Sequence, residues 1–123
     1  MMLIFAFCVL SATVVLGTFL AIMYLHATHV LPSAVAMSHG SLGAFGIIVL
    51  AYALFREPIR GAAFGVSSFG PVAVVLGGVA LLLGLGIALL TRRSGRRIGL
   101  LIGVHASFAV AAYILLMTYV SFG

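Results

Sequence analysis

Four long apolar runs decide how this chain can fold. They cover roughly residues 2–25, 32–55, 71–90 and 98–122, and each reaches the length of about 20 residues that a helix needs to cross the hydrocarbon core of a bilayer. Lipid offers no hydrogen-bond partner to an exposed peptide group, so a span must satisfy its backbone internally, and an unbroken apolar run does so as a helix. The chain is therefore predicted to be an all-α integral membrane protein, a single domain over residues 1–123, folded as a four-transmembrane-helix bundle. Its make-up, 65% hydrophobic and 6% charged, excludes a soluble globular domain.

The breaks between the runs carry the punctuation. Tyr24, His26 and His29 close the first run, as aromatic and polar groups do at a membrane boundary. Pro32 and Ser33 open the second, because a first helical turn has no use for the donor that proline lacks. Arg56-Glu57-Pro58 ends it, since the residue before a proline is biased away from helix. Residues 56–70 hold three glycines, two serines, Phe64 and Phe69. That segment is too short to cross and too apolar for an ordinary aqueous loop, which predicts an interfacial one. A third helix from Pro71 to Leu90 and a fourth from Ile98 to Phe122 flank the tight turn Thr91-Arg92-Arg93-Ser94-Gly95-Arg96-Arg97. The first run lacks a basic start and exceeds the core of a signal peptide, so it is expected to be retained as a helix. The last run is expected to leave no segment for a soluble domain.

Charge gives the orientation. Glu57 stands against six arginines; four of these lie in the turn before the fourth helix, and two lie between the second and third. Positive residues favour the cytoplasm, which predicts a bacterial inner-membrane protein with the basic turn inside and both termini outside. Arginines at the ends of apolar runs suit lipid phosphates rather than nucleic acid. Cys8 is the one cysteine, so neither a disulfide within the chain nor a Cys-x-x-Cys-His haem attachment is available.

Two histidines stand out inside the runs. His39 is followed by Gly43, Gly46 and Tyr52, and His105 by Ala109, Ala112 and Tyr119. Small residues four and seven positions after each histidine share its helix face, leaving a strip with almost no side chain beside the ring. His39 lies seven residues after Pro32 and His105 seven after Ile98. Both would sit roughly 10 Å into helices that start on the same side, given a rise of 1.5 Å per residue. Level imidazoles on two parallel helices can reach one iron from opposite sides, which predicts one bis-histidine haem b with its plane against the small strips. Arg92, Arg93, Arg96 and Arg97 lie toward the cytoplasm from that level, where the propionates would need cations, and Ser41 and Ser107 can bond either a backbone carbonyl or the other ring nitrogen of a ligand histidine. The histidines have no carboxylate or thiolate company, which argues against zinc or cluster chemistry. The separation of the two histidines, with helices 1 and 2 echoed by helices 3 and 4, also suggests two duplicated hairpins. Gly17 and Ala21 in the first helix, and Gly77, Gly84 and Ala88 in the third, provide small faces for close helix contact.

His26 and His29 form a His-x-x-His pair beside Tyr24. Interfacial polarity explains it; a quinone-head site or a second metal site is the alternative. Met23, Met37 and Met117 read as packing, and Tyr52, Tyr113 and Tyr119 as interfacial or packing residues. With His39 and His105 on a four-helix membrane bundle, the chain resembles the small b-type cytochrome subunits that anchor respiratory or dehydrogenase complexes. The resemblance implies an electron-transfer subunit, not a complete enzyme, relaying electrons between a partner redox protein and the quinone pool within a hetero-oligomer. Members of that group often hold two haems, and no second pair of histidines lies near the outer face here, which implies a one-haem version. A cofactor-free accessory subunit of a larger membrane complex is the competing expectation. A proton-coupled cation exporter of this size needs a carboxylate within the membrane, and Glu57 lies at a boundary beside Arg56.

Overall fold

The computed structural model describes residues 1–26, 33–57, 62–94 and 99–122, with the side chains of 92–94 outside that description. It contains α1 (Met2–Leu25), α2 (Ser33–Arg56), a 3-10 turn (Ala62–Phe64), α3 (Phe69–Ser94) and α4 (Gly99–Phe122), and there is no strand among the described residues. At 1.5 Å per residue a helix of this length measures about 36 Å, more than the hydrocarbon thickness of about 30 Å. Each of the four is also apolar enough to cross. The protein is an all-helical, integral membrane four-helix bundle.

Helix α1 spans the residues predicted for it, and α2 is offset from its prediction by one residue at each end. Helix α3 is longer than its predicted 71–90 at both ends. Pro71 becomes the third residue of the helix, still within the first turn, where four N–H groups have no intrahelical acceptor and a missing donor costs nothing. At the other end Thr91 turns its hydroxyl back to the carbonyl of Ile87 at 2.8 Å. The helix runs on past Thr91 to Ser94.

The helices pair most closely as α1 with α2 and α3 with α4, while the α2–α3 and α1–α4 contacts between the hairpins are sparser. Chain order runs round the bundle, so α2 and α4 are parallel and occupy opposite corners. Packing is tightest at the end holding the start of α1 and the finish of α4. There Leu3 and Ala6 meet Leu50, Ala53, Ala73, Leu116 and Tyr119. The alanines let backbones approach, as small residues do where lipid supplies no hydrophobic drive between helices. Gly70 serves the same end, because a Cβ there would lie 3.1 Å from the Tyr119 ring.

The segment after α2 closes over this core. Gly65, at φ 69°, takes the left-handed turn that follows the 3-10 turn. Val66 is buried, and Phe64 meets Phe122 with ring centroids 5.7 Å apart. Glu57 accepts hydrogen bonds from the Leu3 N–H and the N-terminal ammonium, both at 3.3 Å. It thereby sets its negative charge on the positive end of the α1 dipole. One turn deeper, Phe7 stacks on Tyr113 at 5.7 Å. Ser11 donates to the Phe7 carbonyl at 2.8 Å. Its one proton is thus committed, so Tyr113 is the donor in the 2.8 Å bond between the two hydroxyls.

Candidate functional site

Away from that core, toward the starts of α2 and α4, the bundle interior is polar in one layer. His39 lies six residues after Ser33, and His105 six after Gly99. That puts both about 9 Å along their helices at 1.5 Å per residue. The structure brings these two rings together from opposite corners: centroids 6.1 Å apart, planes at 77°, each ring half-buried.

What holds each ring is the antiparallel helix of its own hairpin. His39 Nδ1 lies 2.9 Å from the carbonyl oxygen of Thr13 on α1, and His105 Nδ1 lies 2.8 Å from that of Ala80 on α3. A carbonyl only accepts, so each Nδ1 carries the proton. In the neutral ring this leaves Nε2 as a lone pair able to bind a metal. Metal-binding histidines usually hold their second nitrogen in this way. The ring also lies over a glycine one turn beyond that carbonyl. A Cβ at Gly17 would be 2.8 Å from Cε1 of His39, and one at Gly84 would be 3.1 Å from Cε1 of His105.

Other predicted residues are deployed differently. Of the strip beside His39, Gly43 and Gly46 turn to α1: a Cβ at Gly43 would be 3.4 Å from the Thr13 methyl, and one at Gly46 would be 2.7 Å from Leu10 Cδ2. Ala112 is buried toward α3, 4.0 Å from where a Cβ on Gly77 would stand, and Ile47 fills the rest of that site. Ala109 is half-buried on α4. Gly43, Gly46 and Ala112 are thus contact points for neighbouring helices, because a bare strip lets the adjacent helix close in. Ser107 bonds a backbone carbonyl, that of Gly103 in its own helix, at 2.9 Å, and the His105 ring is held by the Ala80 backbone. Ser41 is exposed. Tyr52 is exposed under the Arg56 guanidinium, 5.8 Å from ring centroid to carbon, whereas Tyr119 is buried.

His26 bonds the Ile22 carbonyl through Nδ1 at 2.9 Å and is exposed, and the Tyr24 hydroxyl reaches toward Gly99 at the start of α4. His29, Pro32, Arg96 and Arg97 lie outside the described residues, as do the side chains of Arg92 and Arg93.

The sequence reading named the two histidines but not what holds them. Thr13 and Ala80 act through main-chain oxygens, which no residue type announces. A signal exists all the same: Thr13 and Gly17 stand to His39 almost as Ala80 and Gly84 stand to His105, with separations of 26 and 25 residues between carbonyl and ring. The two hairpins thus present matching half-sites.

No cluster of three or more His, Cys, Asp or Glu placed to hold a metal occurs among the described residues. Two nitrogen donors are too few for a structural zinc, which takes four ligands. What the arrangement offers is two imidazole nitrogens facing each other on one level. Fold and site together define an integral membrane bundle with one imidazole from each of two like hairpins meeting on a shared level. No family model, curated protein or solved structure matches the chain.

Proposed function

We propose that the protein is a membrane electron-transfer subunit in which His39 and His105 together hold one haem b. The observation that carries the reading is the 6.1 Å between ring centroids. With metal–nitrogen bonds of about 2 Å on each side, two imidazoles sharing one ion in line have centroids roughly 6 Å apart. The two Nδ1–carbonyl bonds support it further, since each presents Nε2 as the free ligand atom. Buried ionisable side chains in a membrane are costly and tend to be retained for function.

Haem bound here would supply single-electron redox chemistry at that level of the bilayer. The chain's own residues would hold it: His39 and His105 as iron ligands, the Thr13 and Ala80 carbonyls as fixed acceptors for their Nδ1–H groups, and Arg92, Arg93, Arg96 and Arg97 as cations for propionates. The reading puts the basic turn in the cytoplasm and both termini outside, in a bacterial inner membrane. It makes the protein one part of a larger redox complex, with a partner protein as donor or acceptor and quinone as the other, the quinone head being served by Tyr24, His26 and His29.

One observation favours the second reading, a cofactor-free accessory subunit. Gly43, Gly46 and Gly77 are taken up by packing against Thr13, Leu10 and Ile47, as in a bundle that needs nothing further in its interior. Haem retention after purification separates the two. His39→Ala and His105→Ala are each expected to abolish it and His29→Ala to leave it largely intact; haem content unchanged by both of the first two substitutions removes the assignment.

A further inference from the structure

We propose that Gly17 and Gly84 are positioning residues that fix which nitrogen of each imidazole is free. In an α-helix a side chain leans toward the N-terminus and covers the turn before its own Cα. A side chain at position 17 therefore covers the Thr13 carbonyl, and one at position 84 covers that of Ala80. Glycine uncovers both oxygens from the side, and an imidazole from the facing helix enters through the gap.

The contact distances fit this role at both places. A Cβ on Gly17 would stand 2.8 Å from Cε1 and 3.3 Å from Nδ1 of His39; on Gly84 it would stand 3.1 Å from Cε1 and 3.4 Å from Nδ1 of His105. In each case the clash falls on the ring edge that carries the bond to the carbonyl. Gly78 and Gly86 of α3 have no such neighbour: nothing lies within 4 Å of an added Cβ at either. The four-residue step from carbonyl to glycine occurs on α1 and again on α3, two independent instances of one device.

The consequence is chemical. With the gap open, Nδ1–H is held to a carbonyl and Nε2 keeps its lone pair. With a methyl in the gap, the ring withdraws, the bond lengthens and the other tautomer becomes accessible. Gly17→Ala is the stronger perturbation because its contact is the shorter. That the freed nitrogen serves a haem rests on the function proposed above; the control of the tautomer does not.

The test uses the full-length protein, 15N-labelled at histidine and prepared without haem in lipid, with the tautomer of each ring read from its nitrogen shifts. Wild type is expected to show Nδ1–H at both His39 and His105. Gly17→Ala is expected to lose that signature at His39 while His105 keeps it, Gly84→Ala to do the reverse more weakly, and Gly78→Ala to alter neither. In parallel, titration with haem is expected to show roughly tenfold weaker binding for Gly17→Ala, the scale seen when support to a ligand histidine is removed. Unchanged tautomers in both variants overturn the proposal. If the tautomers shift as stated but wild type takes up no haem, the positioning role stands and the haem assignment falls. Should Gly17→Ala fail to fold, the milder Gly84→Ala decides.

Discussion

Leu50 lies at the centre of the packed end, 1% exposed among Leu3, Leu116 and Tyr119, and truncating it to alanine gives a measurable test of that core. Truncation removes three carbons and leaves a void on the order of 80 Å³ if the neighbours stay in place. In a soluble protein the loss includes the transfer of those carbons out of water. Here the separated helices face lipid tails as apolar as leucine, so the transfer contribution nearly cancels and the void remains. At roughly 24 cal/mol per Å³ the void costs about 2 kcal/mol. The same truncation at Leu82, 70% exposed on the outer face of α3, opens no void because lipid closes over it, and its cost is expected below about 0.5 kcal/mol. Equilibrium unfolding of both variants in mixed micelles, followed by circular dichroism, gives the two numbers. A cost for Leu82→Ala equal to that for Leu50→Ala refutes the reasoning, because it means burial within the bundle does not control packing energy.

Gly46→Val is expected to destabilise the same transition by about 1–3 kcal/mol, as overpacking does, because even a Cβ there falls 2.7 Å from Leu10. Gly78→Ala, with open space around it, is expected to stabilise by roughly 0.5–1 kcal/mol through the lower backbone entropy of alanine. For the bond between the Ser11 and Tyr113 hydroxyls, a double-mutant cycle with Ser11→Ala and Tyr113→Phe is expected to give a coupling near 0.6 kcal/mol; a coupling of zero means the hydroxyls do not join α1 to α4.

The fold was legible because the bilayer removes alternatives. Four runs with 24 to 26 residues each in the finished helices can satisfy their backbones in only one way, so element number and type followed from length alone. The exact ends of α3 did not, because Pro71 reads as a start signal anywhere in a first turn and Thr91 reads as a loop residue until its hydroxyl is seen bonded to Ile87. Matched depth made His39 and His105 conspicuous, since equal offsets from helix starts translate into equal heights. The strips of small residues carry two meanings for a physical reason. A glycine at a membrane helix contact and a glycine beside a cofactor leave the same trace in a sequence; in the structure Gly46 is set against Leu10. Main-chain acceptors leave no trace beyond the repeated spacing of Gly17 and Gly84 from the two histidines.

The most direct measurement is the reduced-minus-oxidised absorption spectrum of the purified, folded protein, taken with haem content per chain. A haem b difference signal with one haem per chain, absent from His39→Ala, is the predicted result. A folded wild-type sample that is colourless and stays so after incubation with haem contradicts the account.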